Sequence, residues 1–443
     1  MLLLTPRRAV PVPIPPTMRN HGNVVVSISQ LGRWLGGVAE ELGATVLAET
    51  AAQKLLVADG AVAGIRTGDR GRGRAGEELG RFEAGSDIRA KVTILAEGTQ
   101  GHLTDAAIER FGLAGSSPQT WALGVKEVWK VAEPLRKVIH TMGWPLRSAA
   151  RFREFGGSFI YPMGEDMVTV GMVVGLDYRD PSLSVHDLLQ LLKTHPRIAP
   201  IFAGGERVAW GAKTIPEGGL VALPRQLHAP GVLICGDGAG FVNVPALKGI
   251  HYAVESGRLA AEAAWRSLAG AGELSGYDEA LRGSFVWRDL REVRNMRQVF
   301  GAGFWRGAAL AGVATVTKGR IPAGDRPTHA DAAHELLEAP QVAYPAPDGK
   351  LTFDKLSSVF LSGNRTRDDQ PSHIRIETRV PAALGGLWER MCPAQVYEVE
   401  PATDGLVDVK VTASNCVQFG AITAKGGRLT PPEGGSGPEY TLT

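Results

Sequence analysis

The chain has 443 residues, 44% of them hydrophobic and 21% charged, with 48 basic against 46 acidic side chains. That composition excludes disorder of the chain as a whole, and the near-neutral charge leaves no case for a nucleic-acid partner. Three cysteines exclude a disulfide framework and make a reducing compartment the default. Glycine, at 56 residues, is about one in eight against roughly 7% on average. Without a G-X-Y period it excludes collagen and points to tight turns and close backbone approaches, as in nucleotide-binding α/β folds. The length suggests about three domains or sub-domains.

In chain order, Met1–Pro16 (MLLLTPRRAVPVPIPP) has too short an apolar run and too many prolines for a signal helix. Asn23–Ile28 reads as a short strand. A helix follows from about Ser29 to Leu42, with Leu31, Leu35, Val38 and Leu42 at helical spacing and Gly43 as its stop. Thr45–Leu47 reads as a strand, and Lys54–Val57 and Ala61–Ile65 flank Asp59-Gly60, a hairpin turn signal. Thr67–Gly80, containing GDRGRGRAG, reads as a solvated hairpin tip. Lys91–Ala96 (KVTILA), ending at Glu97-Gly98, has the pattern of a buried parallel strand.

From Thr120 to Gly175 the pattern is strand-like, with Ala122–Trp129, Ser158–Tyr161 and Met167–Val174 forming the antiparallel sheet of a second domain. Val185–Leu192 is a helix. Gly231–Cys235 is a second buried strand, leading through a glycine-rich turn into a long helix from about Gly249 to Ala269. Tyr277–Phe300 reads as a further long helix. No run reaches about 18 apolar residues, so no membrane span is expected. The nearest approach, Val299–Thr317, is interrupted by Arg306 and reads as either an interfacial helix or a core helix. After about Arg320 the composition shifts toward Pro, His and charge, and Leu351–Thr443 reads as a small separate domain.

The chemistry concentrates in Gly231–Trp265, where a buried strand ends in Gly236-Asp237. A carboxylate at the carboxyl end of a strand stands where an α/β sheet binds ligands. Asp237 can accept from a sugar-like hydroxyl such as the ribityl chain of a flavin. Gly238 and Gly240 let backbone approach phosphates, and the helix starting near Gly249 points its positive end at the site. An ordinary strand–turn–helix with a capping Asp would carry the same Gly-Asp pair. His102, His140, His195 and His251 show no ligand spacing, so no metal site is read from them. No G-x-S-x-G occurs, which leaves nucleophilic catalysis unsupported.

The strings Gly240–Pro245 (GFVNVP), Lys248–His251 (KGIH) and Glu255–Gly257 (ESG) resemble the electron-transfer flavoprotein–ubiquinone oxidoreductases. The likeness runs nearly end to end. It takes in Val10–Pro15, Asn20–Asn23, Ala96–Gly98 with Gly101–Leu103, Lys126–Trp129, His140–Leu146 (HTMGWPL) and Gly156–Phe159 (GGSF). It continues through Val174–Tyr178, Glu217–Gly219, Val293–Asn295, Leu351–Val359, Asp369–Pro371, Cys392–Ala394 and Pro432–Gly435. The resemblance implies an α/β and α+β chain with a glutathione-reductase-like FAD-binding domain (1–115 and 225–300). It further implies an antiparallel quinone-binding sheet domain (116–224), a membrane-surface segment (299–320) and a ferredoxin-like iron–sulfur-type domain (340–443). The cofactors implied are FAD, held by Gly236, Asp237, Gly238, Gly240, Asn243, Gly249, Glu97 and Gly98, and a [4Fe–4S] cluster. Gly156-Gly157 match paired glycines that approach the quinone. The partners implied are a reduced electron-transfer flavoprotein, ubiquinone or menaquinone, and a membrane surface. The implied location is peripheral, on the cytoplasmic face of a bacterial inner membrane or the matrix face of the mitochondrial one.

Three departures carry expectations of their own. The family begins with a strand and G-x-G-x-x-G turn for the adenosine half of FAD that these residues lack, so the chain reads as amino-terminally truncated and weak FAD binding is expected. Gly71–Gly76 has that spacing but lies in the polar hairpin, outside the strand-to-helix context that gives the motif meaning. The cluster cysteines follow a C…C-x-x-C-x-x-C pattern, in which Cys392 and Cys416 match while Phe419 and Ile422 fill the other two positions. Neither hydrocarbon ligates iron, so no stable cluster is expected. Ser27 stands where the family usually has an arginine near the nucleotide, and Cys235 reads as a buried core thiol. Two other functions fit parts of this pattern. A flavin-dependent reductase or monooxygenase of the same fold class would share the Asp237 turn but not the Cys392/Cys416 domain. A degenerate non-catalytic homologue would share everything but the cofactors.

Overall fold

Seven strands run side by side through the middle of the computed structural model, which describes residues 1–321, 324–338 and 342–443. Their spatial order is Glu206–Pro216, Trp121–Lys130, Met167–Gly175, Gly156–Met163, Ile139–Gly143, Leu2–Leu4 and Ala9–Pro11. All neighbours are antiparallel except Leu2–Leu4, which runs parallel to Ile139–Gly143. The antiparallel sheet expected from Ala122 to Val174 is therefore present, longer at each end. Both faces of Trp121–Lys130 are largely buried, one beneath the Val185–Lys193 helix. The residues after 350 do not stand apart. Val359, Leu387, Trp388, Tyr397 and Ile422 belong to one continuous core with Trp129, Val170 and Trp210 of the sheet.

A second, smaller core surrounds two short parallel strands, Thr93–Leu95 and Val232–Ile234, with His228–Ala229 beside them. The helices His102–Phe111, Ile250–Leu268, Gly276–Gly283 and Phe285–Glu292 pack round it. The parallel pairing holds for both, but burial is complete only for Val232–Ile234: Ile94 is 37% exposed and only Leu95 of its strand is buried. Their carboxyl ends lie side by side, which brings the Glu97–Gly101 and Gly236–Gly240 loops together.

Several expectations need correction. Asn23–Ile28 and Thr45–Leu47 carry strand-forming residues but form no ladder; Val24 is 86% and Leu47 56% exposed. β-propensity acts through neighbours, and no described strand lies alongside either segment to take its N–H and C=O groups. The helix between them runs Ile28–Glu41, with Ser27 Oγ accepting from the Gln30 N–H at 3.3 Å. The long helix expected over Tyr277–Phe300 is broken at Ser284, which is extended, and again at Asn295, whose φ is +71°. The Thr67–Gly80 hairpin is not a solvated tip. Its strands Arg70–Arg72 and Glu78–Glu83 dock on the C-terminal region through Arg81–Asp369 (2.7 Å), the Gly71 N–H to Glu433 (2.9 Å) and the Arg74 guanidinium to the Asp368 carbonyl (2.7 Å). Its arginines have partners that sequence distance hides. The expected boundary at 340 lies outside the described residues.

Candidate functional site

The Gly236–Gly238 turn follows the Val232–Ile234 strand after one residue, as the buried-strand pattern requires. Gly236 adopts φ +64° and Gly240 φ +92°, conformations that favour glycine. Asp237 projects from this turn, and among the described residues no donor reaches its carboxylate. Burial pushes its pKa up to about 6. A Cβ on Gly249 would stand 3.5 Å from Asp237 Oδ1, so the start of the Ile250–Leu268 helix lies against that carboxylate. A Cβ on Gly238 would stand 3.4 Å from the Gly98 carbonyl oxygen, and Gly98, with φ +75°, has open space where its own Cβ would be. Asp237, Gly236, Gly238, Gly249 and Gly98 are thus drawn into one place.

Glu97 and Asn243 are engaged by neighbouring groups of the protein. Both Glu97 oxygens cap the His102–Phe111 helix, accepting from the Leu103 N–H at 3.0 Å and the Thr104 N–H at 2.6 Å. Asn243 accepts from the Ala246 N–H at 3.1 Å and donates to the Tyr252 hydroxyl at 3.2 Å, fixing the Val244–Ala246 turn.

That turn leads to a second site. A cavity of about 340 Å³ lies between the seven-stranded sheet and the Phe304–Val316 helix. Val244, Pro245 and Leu247 form one wall, Phe304, Ala308 and Ala311 another, and His140, Gly156, Gly157 and Phe159 the floor. Gly156 and Gly157 are strand residues, paired with Val174 and Val173. A Cβ on Gly156 would meet the Val173 carbonyl oxygen at 2.0 Å, and one on Gly157 the Thr141 oxygen at 2.4 Å. Neighbouring backbone on both sides therefore excludes any side chain here.

The polar end of the cavity holds charges that the sequence reading missed. The Arg297 guanidinium donates to Glu217 and to Asp177, each at 2.7 Å, and Arg153 donates to Asp177 at 2.9 Å. Burial pushes Asp177 up, but the two guanidiniums outweigh it and hold this carboxyl below the usual range. Gly175 makes room for the group, since a Cβ there would meet Arg297 at 2.5 Å. Only the charged residues inside otherwise apolar strings hinted at this cluster.

Cys392 and Cys416 are 0% and 2% exposed. The Cys392 sulfur accepts from the Val396 N–H and the Cys416 sulfur from the Gln418 N–H, each at 3.4 Å. Burial pushes both thiols up, Cys416 to about 12. Phe419 and Ile422, 3% and 2% exposed, pack into the same core as Trp388 and Tyr397. Among the described residues no group of three or more His, Cys, Asp or Glu is placed to hold a metal. Cys235 is a core thiol, as expected, 3.6 Å from the Leu95 carbonyl oxygen.

Residues 121–215 match the family described as "ETF-QO, ubiquinone-binding", and residues 349–441 match "Electron transfer flavoprotein-ubiquinone oxidoreductase, 4Fe-4S". Over 99% of its length the chain is 39% identical to the mitochondrial electron transfer flavoprotein-ubiquinone oxidoreductase of Arabidopsis thaliana and 38% identical to that of Homo sapiens, covering 71% and 76% of those proteins. The chain belongs to the electron-transfer flavoprotein–ubiquinone oxidoreductase family. Among solved structures, a geranylgeranyl bacteriochlorophyll reductase-like protein from Thermoplasma acidophilum aligns over 66% of this chain and 67% of its own, with 16% identity and a TM-score of 0.48. The match over 349–441 is the feature a monooxygenase would lack, so that alternative falls away.

The family's cofactors are FAD and a [4Fe–4S] cluster, and this chain meets them differently. The residues at Asp237 fit the first: a carboxylate that no donor among the described residues reaches, flanking Gly236 and Gly238, and the helix start at Gly249 against it. The residues at Cys392 do not fit the second, since two thiols and two buried hydrocarbons cannot supply the four ligands of a cubane.

Proposed function

We propose that this chain takes electrons from a reduced electron-transfer flavoprotein and delivers them to ubiquinone or menaquinone at a membrane surface, with the quinone head in the cavity over Gly156-Gly157. When bound, FAD supplies the redox chemistry, exchanging electrons with the protein donor and the quinone. Asp237 holds a ribityl hydroxyl. Gly236, Gly238, Gly240 and Gly98 let backbone approach the phosphates, and the helix start at Gly249 favours negative charge on the ring. Glu97 and Asn243 fix the loops that carry these groups. One observation carries the reading: the Val244–Leu247 turn continues the Gly236–Gly240 loop and is also a wall of the cavity, so the flavin-side residues and the quinone cavity share one piece of chain. The cavity pairs apolar walls with a polar end, as an isoprenoid tail and a carbonyl-bearing head require.

Asp237→Ala is expected to weaken FAD binding about 5- to 150-fold, the ~1–3 kcal/mol of one charge-assisted hydrogen bond. Flavin-fluorescence titration of the chain with FAD reads this directly, and an unchanged Kd removes Asp237 from the site.

The membrane contact falls to the Phe304–Val316 helix. Among the described residues no helix is long and apolar enough to cross a membrane. Trp305 is 65% and Val316 85% exposed on this short helix. Exposed apolar groups beside a cavity suit an interface where a lipid-soluble substrate enters. Replacing Trp305 and Val316 together with serine is expected to lower liposome partitioning about tenfold or more, from the apolar area no longer buried. Co-sedimentation unaffected by that change would place the membrane contact elsewhere.

A further inference from the structure

Three stretches of chain, far apart in sequence, meet around the cavity. Met1 and Pro15, Ser148 and Ala149, and Phe304 and Ala308 all line it. These stretches, 1–39, 134–153 and 293–324, make up about a fifth of the chain, yet none of its 46 acidic residues falls in them. The acids that do line the cavity, Glu154 and Glu217, have buried carboxylates paired with Arg147 and Arg297. The second and third stretches touch. The Phe304 N–H donates to the Ser148 carbonyl oxygen at 3.4 Å, and a Cβ on Gly303 would stand 2.9 Å from that of Ala150. Six arginines on the three stretches, Arg7, Arg8, Arg19, Arg151, Arg306 and Arg320, are exposed and meet no carboxylate among the described residues. By contrast Arg66 and Arg258, exposed elsewhere, pair with Asp87 and Glu255. The same stretches expose Val10, Ile14, Trp305, Val313 and Val316.

We propose that this face seats on a bilayer containing anionic phospholipid, its arginines taking headgroup phosphates while Ile14, Trp305 and Val316 enter the acyl boundary. This rests on the membrane contact assigned above to the Phe304–Val316 helix, and adds the lipid that the contact selects. A guanidinium presents a fork of N–H groups that matches phosphate oxygens, and its stem lies along apolar surface while its head stays at headgroup level. A basic residue near an anionic leaflet gains about fivefold in partitioning, whereas a carboxylate there would be repelled. The absence of acids over all three stretches removes that repulsion. The arginines occupy a hairpin turn, a loop and both ends of a helix, an arrangement that suits a charged plane better than one bound anion. Apolar contact alone would not distinguish a zwitterionic from an anionic surface; the arginines do.

Co-sedimentation of the full chain with vesicles tests this. One set is phosphatidylcholine alone and the other carries about 30% phosphatidylglycerol. Partitioning onto the anionic set is expected to be about tenfold or more stronger, and to fall to the phosphatidylcholine level near 0.5 M salt. Replacing Arg151, Arg306 and Arg320 together with glutamine is expected to remove the preference and leave phosphatidylcholine binding unchanged. Replacing Arg66, Arg258 and Arg282 with glutamine makes the same change in net charge elsewhere, and the preference is expected to survive it. All six side chains are exposed, and circular dichroism checks that each variant is folded. Equal wild-type binding to both vesicles overturns the lipid preference and leaves the membrane contact intact. Equal loss of preference in the two triple variants shows an effect of net charge and overturns the assignment to this face. Inorganic phosphate that abolishes the preference at constant ionic strength shows a discrete anion site and overturns the bilayer. Binding to neither vesicle overturns the lipid preference and the membrane contact together.

Discussion

Purified protein is expected to carry no stable [4Fe–4S] cluster, although residues 349–441 match the family's 4Fe-4S domain. Iron in a cubane needs a soft ligand at each corner. Here Cys392 and Cys416 supply two, and Phe419 and Ile422 occupy the remaining positions as buried core residues. Burial also favours the thiol over the thiolate that would bind iron, pushing Cys416 up to about 12. Phe419→Cys with Ile422→Cys reverses both defects at a cost. Without iron, the double variant is expected to lose several kcal/mol, since large-to-small changes at buried sites cost about 2–5 kcal/mol each. Reconstitution with iron and sulfide should then restore stability and give an electron paramagnetic resonance signal on reduction. Either single change should do neither. A reduced-cluster signal near one per chain in the unmodified protein would overturn this account of the domain. The same residues contribute core: apolar side chains of the C-terminal region pack against the seven-stranded sheet, and Asp369 and Glu433 hold the arginine hairpin.

Glu127→Gln is expected to destabilise the fold by ~3–5 kcal/mol, the cost of removing one partner from a buried ion cluster. Glu127 is wholly buried in the Trp121–Lys130 strand. It accepts from Lys193 at 2.7 Å, Trp129 Nε1 at 2.8 Å, Gln190 at 3.0 Å and Arg207 at 3.3 Å. Lys193 also donates to the Leu351 carbonyl oxygen at 2.6 Å, and Arg207 to Ser358 at 2.7 Å. The cluster therefore joins the sheet to the start of the C-terminal region, and neutralising Glu127 leaves two cations buried without their counter-charge. Burial pushes the Glu127 carboxyl up, but Lys193 and Arg207 outweigh it and hold it below its ordinary value of 4.5. A carboxyl depressed in the folded state contributes stability above its unfolded pKa and loses that contribution as pH falls through the folded one. Urea midpoints measured from pH 7 downward should fall below about pH 4.5 in the wild type, with a shallower fall in Glu127→Gln. Identical pH profiles would show that the cluster adds nothing to stability.

The elements legible in the sequence were those whose pattern and partners lie close together. The Asp59-Gly60 hairpin, the parallel pairing of Thr93–Leu95 with Val232–Ile234 and the Asp237 turn all appear as read. Residues whose partners lie far along the chain were not legible. The Arg72–Arg81 hairpin looked solvated because Asp369 and Glu433 lie almost 300 residues or more away. The crowding of Gly156-Gly157 was not legible because nothing local shows that Val173 and Thr141 backbone lies against them. Phe419 and Ile422 were legible at once, because a ligand position either carries a donor atom or does not.

The central claim is that a quinone occupies the cavity between the Gly156-Gly157 strand and the Phe304–Val316 helix. Photo-labelling of the full chain with an azido-ubiquinone, followed by peptide mapping, tests it most directly. The account predicts label on peptides spanning 139–163 and 304–316, displaced by excess ubiquinone-1. Displaceable label concentrated elsewhere, with those peptides unmodified, would contradict it.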